Sequence, residues 1–310
     1  MADPRRHHYV PQCYLANFTD SGDKNGNIGA FDKAKNRTFR TGIGNVAHVR
    51  DFYRLDPNEE VDDEFAVETS ILAPVEGNAK PIIDQILRDK RLPESPEALA
   101  HLWIFFGFLA MRVPSIRRQL ESFVTDIGRT SLQMIAANAS PAYLDNFYRA
   151  QGIPPSEQIS FDEFKEFALS DRYTIGINQG YLISLTLEQA PRLAELLAER
   201  HWCIGLAADS GFITSDRPVT LRWSQPVPGS QSPGFGLGNT EVRISLSPSI
   251  CLIGSFDPLP EVADLDHSQV AHFNADLVAS ADRFLFFRDE NFRWADEDGV
   301  SRSVNDLLGR

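Results

Sequence analysis

The spacing of apolar residues changes once along the chain, close to His201, and this change limits the possible folds more than any other feature. Residues 61–200 carry apolar side chains at the three- and four-residue intervals of amphipathic helices. Residues 202–288 instead form short β-rich runs separated by turn residues, and residues 27–41 alternate as a β-hairpin does. Helices and strands that are segregated along a chain favour an α+β fold over a doubly wound sheet.

We therefore predict an α+β fold with a β-hairpin start, a long helical middle and an antiparallel β-rich C-terminal part around one core. The β-rich part takes in residues 202–288 together with residues 1–55. A chain of 310 residues buries enough surface for one large core, so we predict a single elaborated domain over residues 1–310. Residues 224–239 are rich in Gly and Pro, which indicates a long loop that either covers a site or is an insertion.

The chain carries 43 acidic and 30 basic side chains, which gives a formal charge of −13. A negative protein repels phosphate backbones at long range, and this disfavours broad non-specific binding of nucleic acid. A local basic groove is compatible with the same charge. We therefore keep a nucleotide or a short nucleic acid as a predicted partner, and the composition indicates no oligomeric state.

The cysteines and the apolar runs bear on the compartment. Cys13, Cys203 and Cys251 lie in apolar surroundings without a C-x-x-C pair, which is typical of buried thiols in a reducing compartment. The first residues lack the apolar segment of a signal peptide. The longest apolar run, Leu102–Val113, is shorter than the ~20 residues that a membrane span needs. We predict a cytoplasmic protein with no membrane partner.

Two adjacent histidines, His7 and His8, are the strongest local feature of the sequence. Neighbouring side chains of an extended segment point in different directions, so the two rings can serve two roles. One would ligate a metal or accept a proton while the other binds the scaffold. The alternative is a pair of surface histidines.

The segment His7–Leu15 reads H-H-Y-V-P-Q-C-Y-L and resembles a bacterial and fungal family of uncharacterised proteins that opens with H-H-x-V-P-Q-x-Y-L. Three later blocks are also similar to that family, namely Arg50–Tyr53, Met111–Arg117 and Phe212–Val219, so the resemblance covers most of the chain. It implies no established activity, and it leads us to expect a role in phage defence. Cys13 stands where the family pattern has an aromatic residue, at a position of packing.

Two acidic residues, Glu68 and Glu76, are eight positions apart. On a continuous helix this separation is ~800°, which places both carboxylates near one face, although Pro74 interrupts the segment. Two carboxylates beside a histidine suit a divalent metal or general acid–base catalysis. The alternative is a solvated helix face, and Glu68 fits it less well because its neighbours are partly apolar.

Arg112 is the one charged residue in a run that begins at Leu102. An arginine in such a context is rarely buried without a partner. Its planar guanidinium suits a phosphate or a carboxylate. It therefore either clamps a phosphate or forms a structural ion pair with Glu68, Glu76 or Asp216.

Three further polar residues stand where sites are often built. Asp216 lies in a turn that follows a predicted strand, where it would ligate a metal, orient a histidine or close the turn. Asn274 interrupts an apolar helix pattern, so it would brace a site or a loop from inside. His48 completes an H-H…N…H series typical of ββα-metal nucleases, but the chain after it is predicted to be extended rather than helical.

The sequence lacks the Walker A motif, a G-x-G-x-x-G motif that opens a helix, H-E-x-x-H, a kinase set and RNA-binding signatures. Our first hypothesis is a hydrolase, most plausibly a phosphodiesterase or nuclease-like enzyme, assisted by Mg²⁺, Mn²⁺ or Zn²⁺. The predicted catalytic residues are His7, His8, Glu68, Arg112 and Asp216. The predicted metal ligands are His8, Glu68 and Asp216. The alternatives are a non-catalytic sensor or binding module whose polar residues form a structural network, and an effector that uses residues 224–239 for partner contacts.

Overall fold

The fold was described from a computed structural model that covers residues 5–56, 63–170, 172–208, 211–225 and 232–308. The chain divides into two compact units, Met1–Ser115 with Ile183–Arg310, and Ile116–Leu182. Helices and antiparallel sheets occupy different parts of the chain, so the predicted α+β fold is confirmed. The single domain over residues 1–310 stays a prediction, and part of the predicted loop 224–239 lies outside the described residues.

The strands and helices of the described residues follow in chain order. The strands are β1 (Arg6–His8), β2 (Asn27–Asp32), β3 (Arg37–Gly42), β4 (His48–Arg50), β5 (His201–Ala207), β6 (Thr214–Ser215), β7 (Val219–Trp223), β8 (Thr240–Ser247), β9 (Ile250–Ser255), β10 (Val262–Leu265), β11 (Phe284–Phe287), β12 (Trp294–Ala295) and β13 (Ser301–Arg302). The α-helices are α1 (Gln12–Leu15), α2 (Ala73–Asp89), α3 (Pro96–Met111), α4 (Pro114–Asn138), α5 (Pro141–Gln151), α6 (Phe161–Leu169), α7 (Gln179–Ala198) and α8 (His267–Ser280).

Two main sheets organise the larger unit. One has the strand order β10-β5-β9-β8-β7, in which β10 and β5 are parallel and the other pairs are antiparallel. The other has the order β3-β2-β11-β6 and contains the predicted hairpin, which turns through residues 33–36. Phe31 and Phe287 of this second sheet, Cys251 of the first sheet and Phe273 of α8 belong to one buried cluster. The predicted core of the β-rich part is therefore shared by both sheets and α8.

Local sequence explains where several helices begin and end. Ser95 caps α3 because its hydroxyl accepts a hydrogen bond from the amide of Ala98 (3.4 Å), and Pro96 takes the first helical position. Pro114 separates α3 from α4, as its missing amide predicts. Pro81 lacks the amide that a helix interior needs, yet α2 continues through it. A turn of π-helix, Val67–Leu72, precedes α2.

The smaller unit is made of helices. It contains most of α4, together with α5 and α6. Ser160 and Glu163 form a capping box at the start of α6, in which each side chain bonds the other residue's amide. Large apolar side chains remain exposed on α4, among them Phe123 and Met134.

Among the described residues, no single helix is both long and apolar enough to cross a bilayer. The consecutive helices α3 and α4 reach the required length and apolar composition when they are taken together.

Candidate functional site

The two predicted histidines lie on a short ribbon formed by β1 and β4. The strands run antiparallel, with Arg6 opposite Arg50, His7 opposite Val49 and His8 opposite His48. Backbone hydrogen bonds extend the ribbon at both ends, from the amide of Tyr9 to the carbonyl of Ala47 (2.9 Å) and from the amide of Asp51 to the carbonyl of Arg5 (2.8 Å). The ribbon is short because Ala47 and Asp51, which flank β4, both have positive φ angles that end the extended backbone.

One face of this ribbon is basic. Side chains two apart on a strand share a face, and directly opposed residues of an antiparallel pair share it too. Arg6, Arg50, His8 and His48 therefore lie on one face, which we call the basic face. The arginines are exposed and the histidines are half-buried, with their ring centroids 5.5 Å apart.

His7 points away from the basic face into the protein, as the prediction of two different roles requires. Its side chain is buried, and its Nδ1 accepts a hydrogen bond from the amide of Tyr53 (2.7 Å). The ring stacks on Tyr53 at 5.7 Å and meets the edge of Phe65 at 6.0 Å. His7 thus binds the scaffold and fixes the ribbon against the residues that follow it.

His8 lies in surroundings that disfavour its charged form. The pKa of its imidazole is lowered to about 4, mainly by burial and also by the neighbouring His48 and Arg112, whereas backbone hydrogen bonds oppose the change. The Nε2 of Gln12, one turn along the chain, lies 3.3 Å from Nδ1 and 3.4 Å from Nε2 of His8. His8 is therefore neutral at physiological pH, the state of a general base or a metal ligand.

His48 is similarly uncharged. Burial lowers the pKa of its imidazole, and the charge of Arg6 adds to this effect. Its Nδ1 is buried and has no hydrogen-bond partner among the residues that the structure describes. A buried polar atom without a partner is uncommon in proteins and points to a missing water, ion or ligand.

Arg112 lies behind the ribbon and is almost completely buried. Its Nε donates to the carbonyl of Tyr9 (3.1 Å), and its Nη1 donates to Oε1 of Glu76 (2.9 Å). The hydroxyl of Tyr53 donates to the carbonyl of Arg112 (2.9 Å). Nη2 is buried and finds no partner in the described part of the chain. Of the three carboxylates considered from the sequence, Glu76 forms the ion pair.

Glu68 is held in the π-helical turn Val67–Leu72, a type of distortion that is frequent at functional sites. The pKa of its carboxyl is raised to about 7, mainly by burial; the charge of Arg112 opposes the rise and that of Glu76 adds to it. Its Oε1 is buried and has no partner within the described ranges. Arg112 thus acts electrostatically on both His8 and Glu68.

The whole chain was compared with known protein families. The model of the family described as Protein of unknown function (DUF4238) matches residues 6–291. The chain belongs to this family. No curated protein and no solved structure matches the DUF4238 chain.

In the DUF4238 chain, Asp216 is occupied by backbone hydrogen bonds. Its Oδ1 accepts from the amide of Asp282 (2.9 Å), and its Oδ2 accepts from the amides of Arg283 (2.6 Å) and Phe284 (2.8 Å). The carboxylate therefore fixes the start of β11 rather than its own turn, where the hydroxyl of Ser215 accepts from the amide of Arg217 (3.0 Å). Its catalytic and metal-binding roles stay predictions. Burial raises the pKa of Tyr9, the residue that follows β1, and the negative charge of Asp216 adds to that rise.

Among the residues that the structure describes, no group of three or more His, Cys, Asp or Glu side chains has a geometry that could hold a metal ion. Two of the predicted ligands, His8 and Glu68, both experience the charge of Arg112. The divalent metal therefore stays a prediction for the DUF4238 chain.

The two arginines of the basic face, Arg6 and Arg50, were not among the predicted site residues. The signal was present as two complementary triplets, Arg6-His7-His8 and His48-Val49-Arg50, which match when they are paired antiparallel. Their separation of forty residues hides the match from any local pattern. Cys13 was also missed as a neighbour of the site, where its thiol donates to Oε2 of Glu76 at 3.8 Å.

Glu68 and His8 are expected to give the free energy of unfolding pH dependences of opposite sign. The pKa of Glu68 rises from 4.5 to about 7 on folding, so its contribution to stability is complete below pH 4.5 and is lost as the pH rises through 7. The pKa of His8 falls from 6.5 to about 4, so its contribution is complete above pH 6.5 and is lost as the pH falls through 4. Each slope reaches at most ~1.4 kcal/mol per pH unit.

The two slopes overlap and offset each other between pH 4.5 and 6.5 in the wild type. Glu68→Gln is expected to leave stability rising with pH in this window, and His8→Gln is expected to leave it falling. Urea unfolding at half-unit pH intervals measures both slopes. If the two variants keep the wild-type profile, neither group has the pKa given above.

Proposed function

We propose that this protein hydrolyses phosphodiester bonds and that the basic face of the β1–β4 ribbon is its active site. The observation that carries the proposal is the pairing of Arg6 with Arg50 beside His8 and His48 in a chain of charge −13. Like charges placed directly opposite each other on neighbouring strands are destabilising. An anion bound between the two arginines would remove that cost, and guanidinium groups match the geometry of phosphate.

Two titratable groups that both experience the charge of Arg112 have the protonation states that hydrolysis needs. His8 is neutral at pH 7, so it can accept a proton from an attacking water. Glu68, whose pKa is about 7, is protonated in a large share of molecules and can donate a proton to the leaving oxygen. Groups whose pKa values are displaced in this way are the usual acid–base pairs of active sites.

Arg112 supports this chemistry from behind. It is bonded to the Tyr9 carbonyl and to Glu76, so it fixes the backbone next to His8, and its charge adds to the lowering of the His8 pKa that burial mainly causes. We therefore assign it a positioning role, and Arg6 and Arg50 take the phosphate. A divalent metal held by His8 and Glu68 remains part of the proposal, since such an ion would polarise the phosphoryl group. Cleavage of foreign nucleic acid in phage defence is a cellular role that fits this activity.

Hydrolysis of bis(4-nitrophenyl) phosphate and of a short single-stranded oligonucleotide tests the proposal, each with and without Mg²⁺, Mn²⁺ and Zn²⁺. We expect His8→Gln and Glu68→Gln each to lower kcat/KM at least ~100-fold, because each removes a proton-transfer group. The matched controls are His201→Gln and Glu195→Gln, which change exposed residues of the same types. These controls are expected to retain wild-type rates.

The alternative of a non-catalytic binding module rests on a specific observation, since His7 and Arg112 already serve the scaffold. A protein that binds the oligonucleotide but turns over neither substrate under any metal condition supports this alternative. Equal rates for the wild type and His8→Gln would instead assign any hydrolysis to a different site or to a contaminant.

A further inference from the structure

A second candidate site lies in the β-rich part, where the two parallel strands of the main sheet end. A cavity of about 650 Å³ opens beside Ala208 and Leu265, which mark the carboxyl ends of β5 and β10. The amide of Ala208 donates to the carbonyl of Leu265 (3.4 Å) and joins the two strand ends. Volumes of ~300–1,000 Å³ are typical of small-molecule sites.

The cavity has an apolar floor and polar walls. Leu265, Val270 and Phe292 are buried and form the floor. Asn291 and Arg293 line the cavity on either side of Phe292, and both are exposed whereas Phe292 is buried. Such a combination of an apolar floor with a few polar groups is the usual composition of a ligand pocket.

The wall is held in place by Asn274 of α8, which is completely buried. Its Nδ2 donates to the carbonyls of Gly211 and Arg293 (2.7 Å each), and its Oδ1 accepts from the amide of Ile213 (3.2 Å). Gly211 and Arg293 both line the cavity. The predicted bracing role of Asn274 is thus directed at this wall, which is preformed in the folded chain.

The charge of this wall is positive. The Arg293 side chain is exposed and makes no hydrogen bond or ion pair with any residue that the structure describes. The pKa of Asp306 is lowered mainly by hydrogen bonds from Ser303, and to a smaller extent by the charges of Arg302 and then Arg293. The nearby carboxylate of Asp266 is engaged at the start of α8, where it accepts from the amide of Gln269 (2.8 Å).

We propose that this cavity binds a small organic anion, with a flat apolar body on the floor and its phosphate or carboxylate group on Arg293. This site is separate from the basic face and does not rest on the proposed hydrolase activity. The floor and the braced wall supply the shape, and the guanidinium supplies the recognition of charge.

Titration calorimetry with three ligands of one body tests the proposal: 1-naphthyl phosphate, 1-naphthoate and the uncharged 1-naphthol. At least one of the two anions is expected to bind the full chain at least tenfold more tightly than 1-naphthol. Arg293→Ala is expected to weaken that anion at least tenfold, as the loss of a charge-assisted hydrogen bond does. Arg91→Ala, which removes another exposed arginine, is expected to leave its affinity unchanged, and the Arg6→Ala/Arg50→Ala double variant is expected to leave the Arg293-dependent binding unchanged.

Each other result overturns the proposal. No binding of either anion at millimolar concentration would show that the cavity is not an anion site. Equal affinities for 1-naphthol and the anions, or no effect of Arg293→Ala, would remove Arg293 from recognition. Loss of binding in the Arg6→Ala/Arg50→Ala variant would place the ligand on the basic face, and it would leave the hydrolase proposal standing while this one fails.

Discussion

Replacing Arg112 with methionine is expected to lower the free energy of unfolding by about 3–5 kcal/mol. The substitution keeps most of the side-chain volume and removes the charge that pairs with Glu76. It also leaves the Tyr9 carbonyl without its donor in a buried position. Since the side chain of Glu76 is 27% exposed, water can take over part of the lost interaction, and we expect a value towards the lower end. Urea unfolding at pH 7 measures the change.

A double-mutant cycle separates the ion pair from the backbone contact. Glu76→Gln is expected to destabilise as well, because the guanidinium then remains buried with a neutral partner. The double variant Arg112→Met/Glu76→Gln is expected to be less destabilised than the sum of the two single variants. A loss below about 1 kcal/mol for Arg112→Met would contradict the anchoring role given to this residue.

Replacing Asp216 with alanine is expected to lower the free energy of unfolding by about 3–5 kcal/mol, because three backbone amides lose a common acceptor. The amides of Asp282, Arg283 and Phe284 converge on this carboxylate at the start of β11. Hydrogen bonds to a charged group contribute roughly 1.5–3 kcal/mol each, and not all of this is lost because the segment can relax. Thermal and urea unfolding measure the change.

Asp20 provides the matched control for this variant. Its Oδ1 also accepts from two backbone amides, those of Ser21 and Asn27 (2.9 Å each), but it lies at the surface. Water replaces a lost acceptor there, so Asp20→Ala is expected to cost clearly less than Asp216→Ala. If the two variants lose the same stability, the three hydrogen bonds to Asp216 do not hold β11 in place. That result would favour a role of Asp216 in a binding or catalytic site.

The parts of the fold that depend on residues adjacent in the sequence were predictable. The hairpin of β2 and β3, the cap at Ser95 and the break at Pro114 follow from turn chemistry, capping and the missing proline amide. The continuation of α2 through Pro81 was not predictable, because packing against α3 outweighs the local cost of a proline.

The candidate site was predictable as a set of residue types but not as an arrangement. Glu68 and Arg112 were chosen as ionisable groups in apolar surroundings and His8 as one of two adjacent histidines, and the charge of Arg112 acts on both of the others. The basic face depends on pairing between residues 6–8 and 48–50, whose register no local pattern specifies. Asp216 shows the reverse case, where a polar residue at a strand end serves the backbone.

The most direct test of the basic face is the affinity of a fluorescein-labelled single-stranded tetranucleotide, measured by anisotropy at low and at physiological salt. The catalytically impaired His8→Gln protein serves as the parent. We predict that Arg6→Ala/Arg50→Ala weakens binding at least ~tenfold and reduces its salt dependence, because the phosphates lose two charged contacts. The control Arg91→Ala/Arg172→Ala removes two exposed arginines from other surfaces and is expected to leave the affinity unchanged. Equal weakening in both double variants, or in neither, would contradict a phosphodiester site on the β1–β4 ribbon.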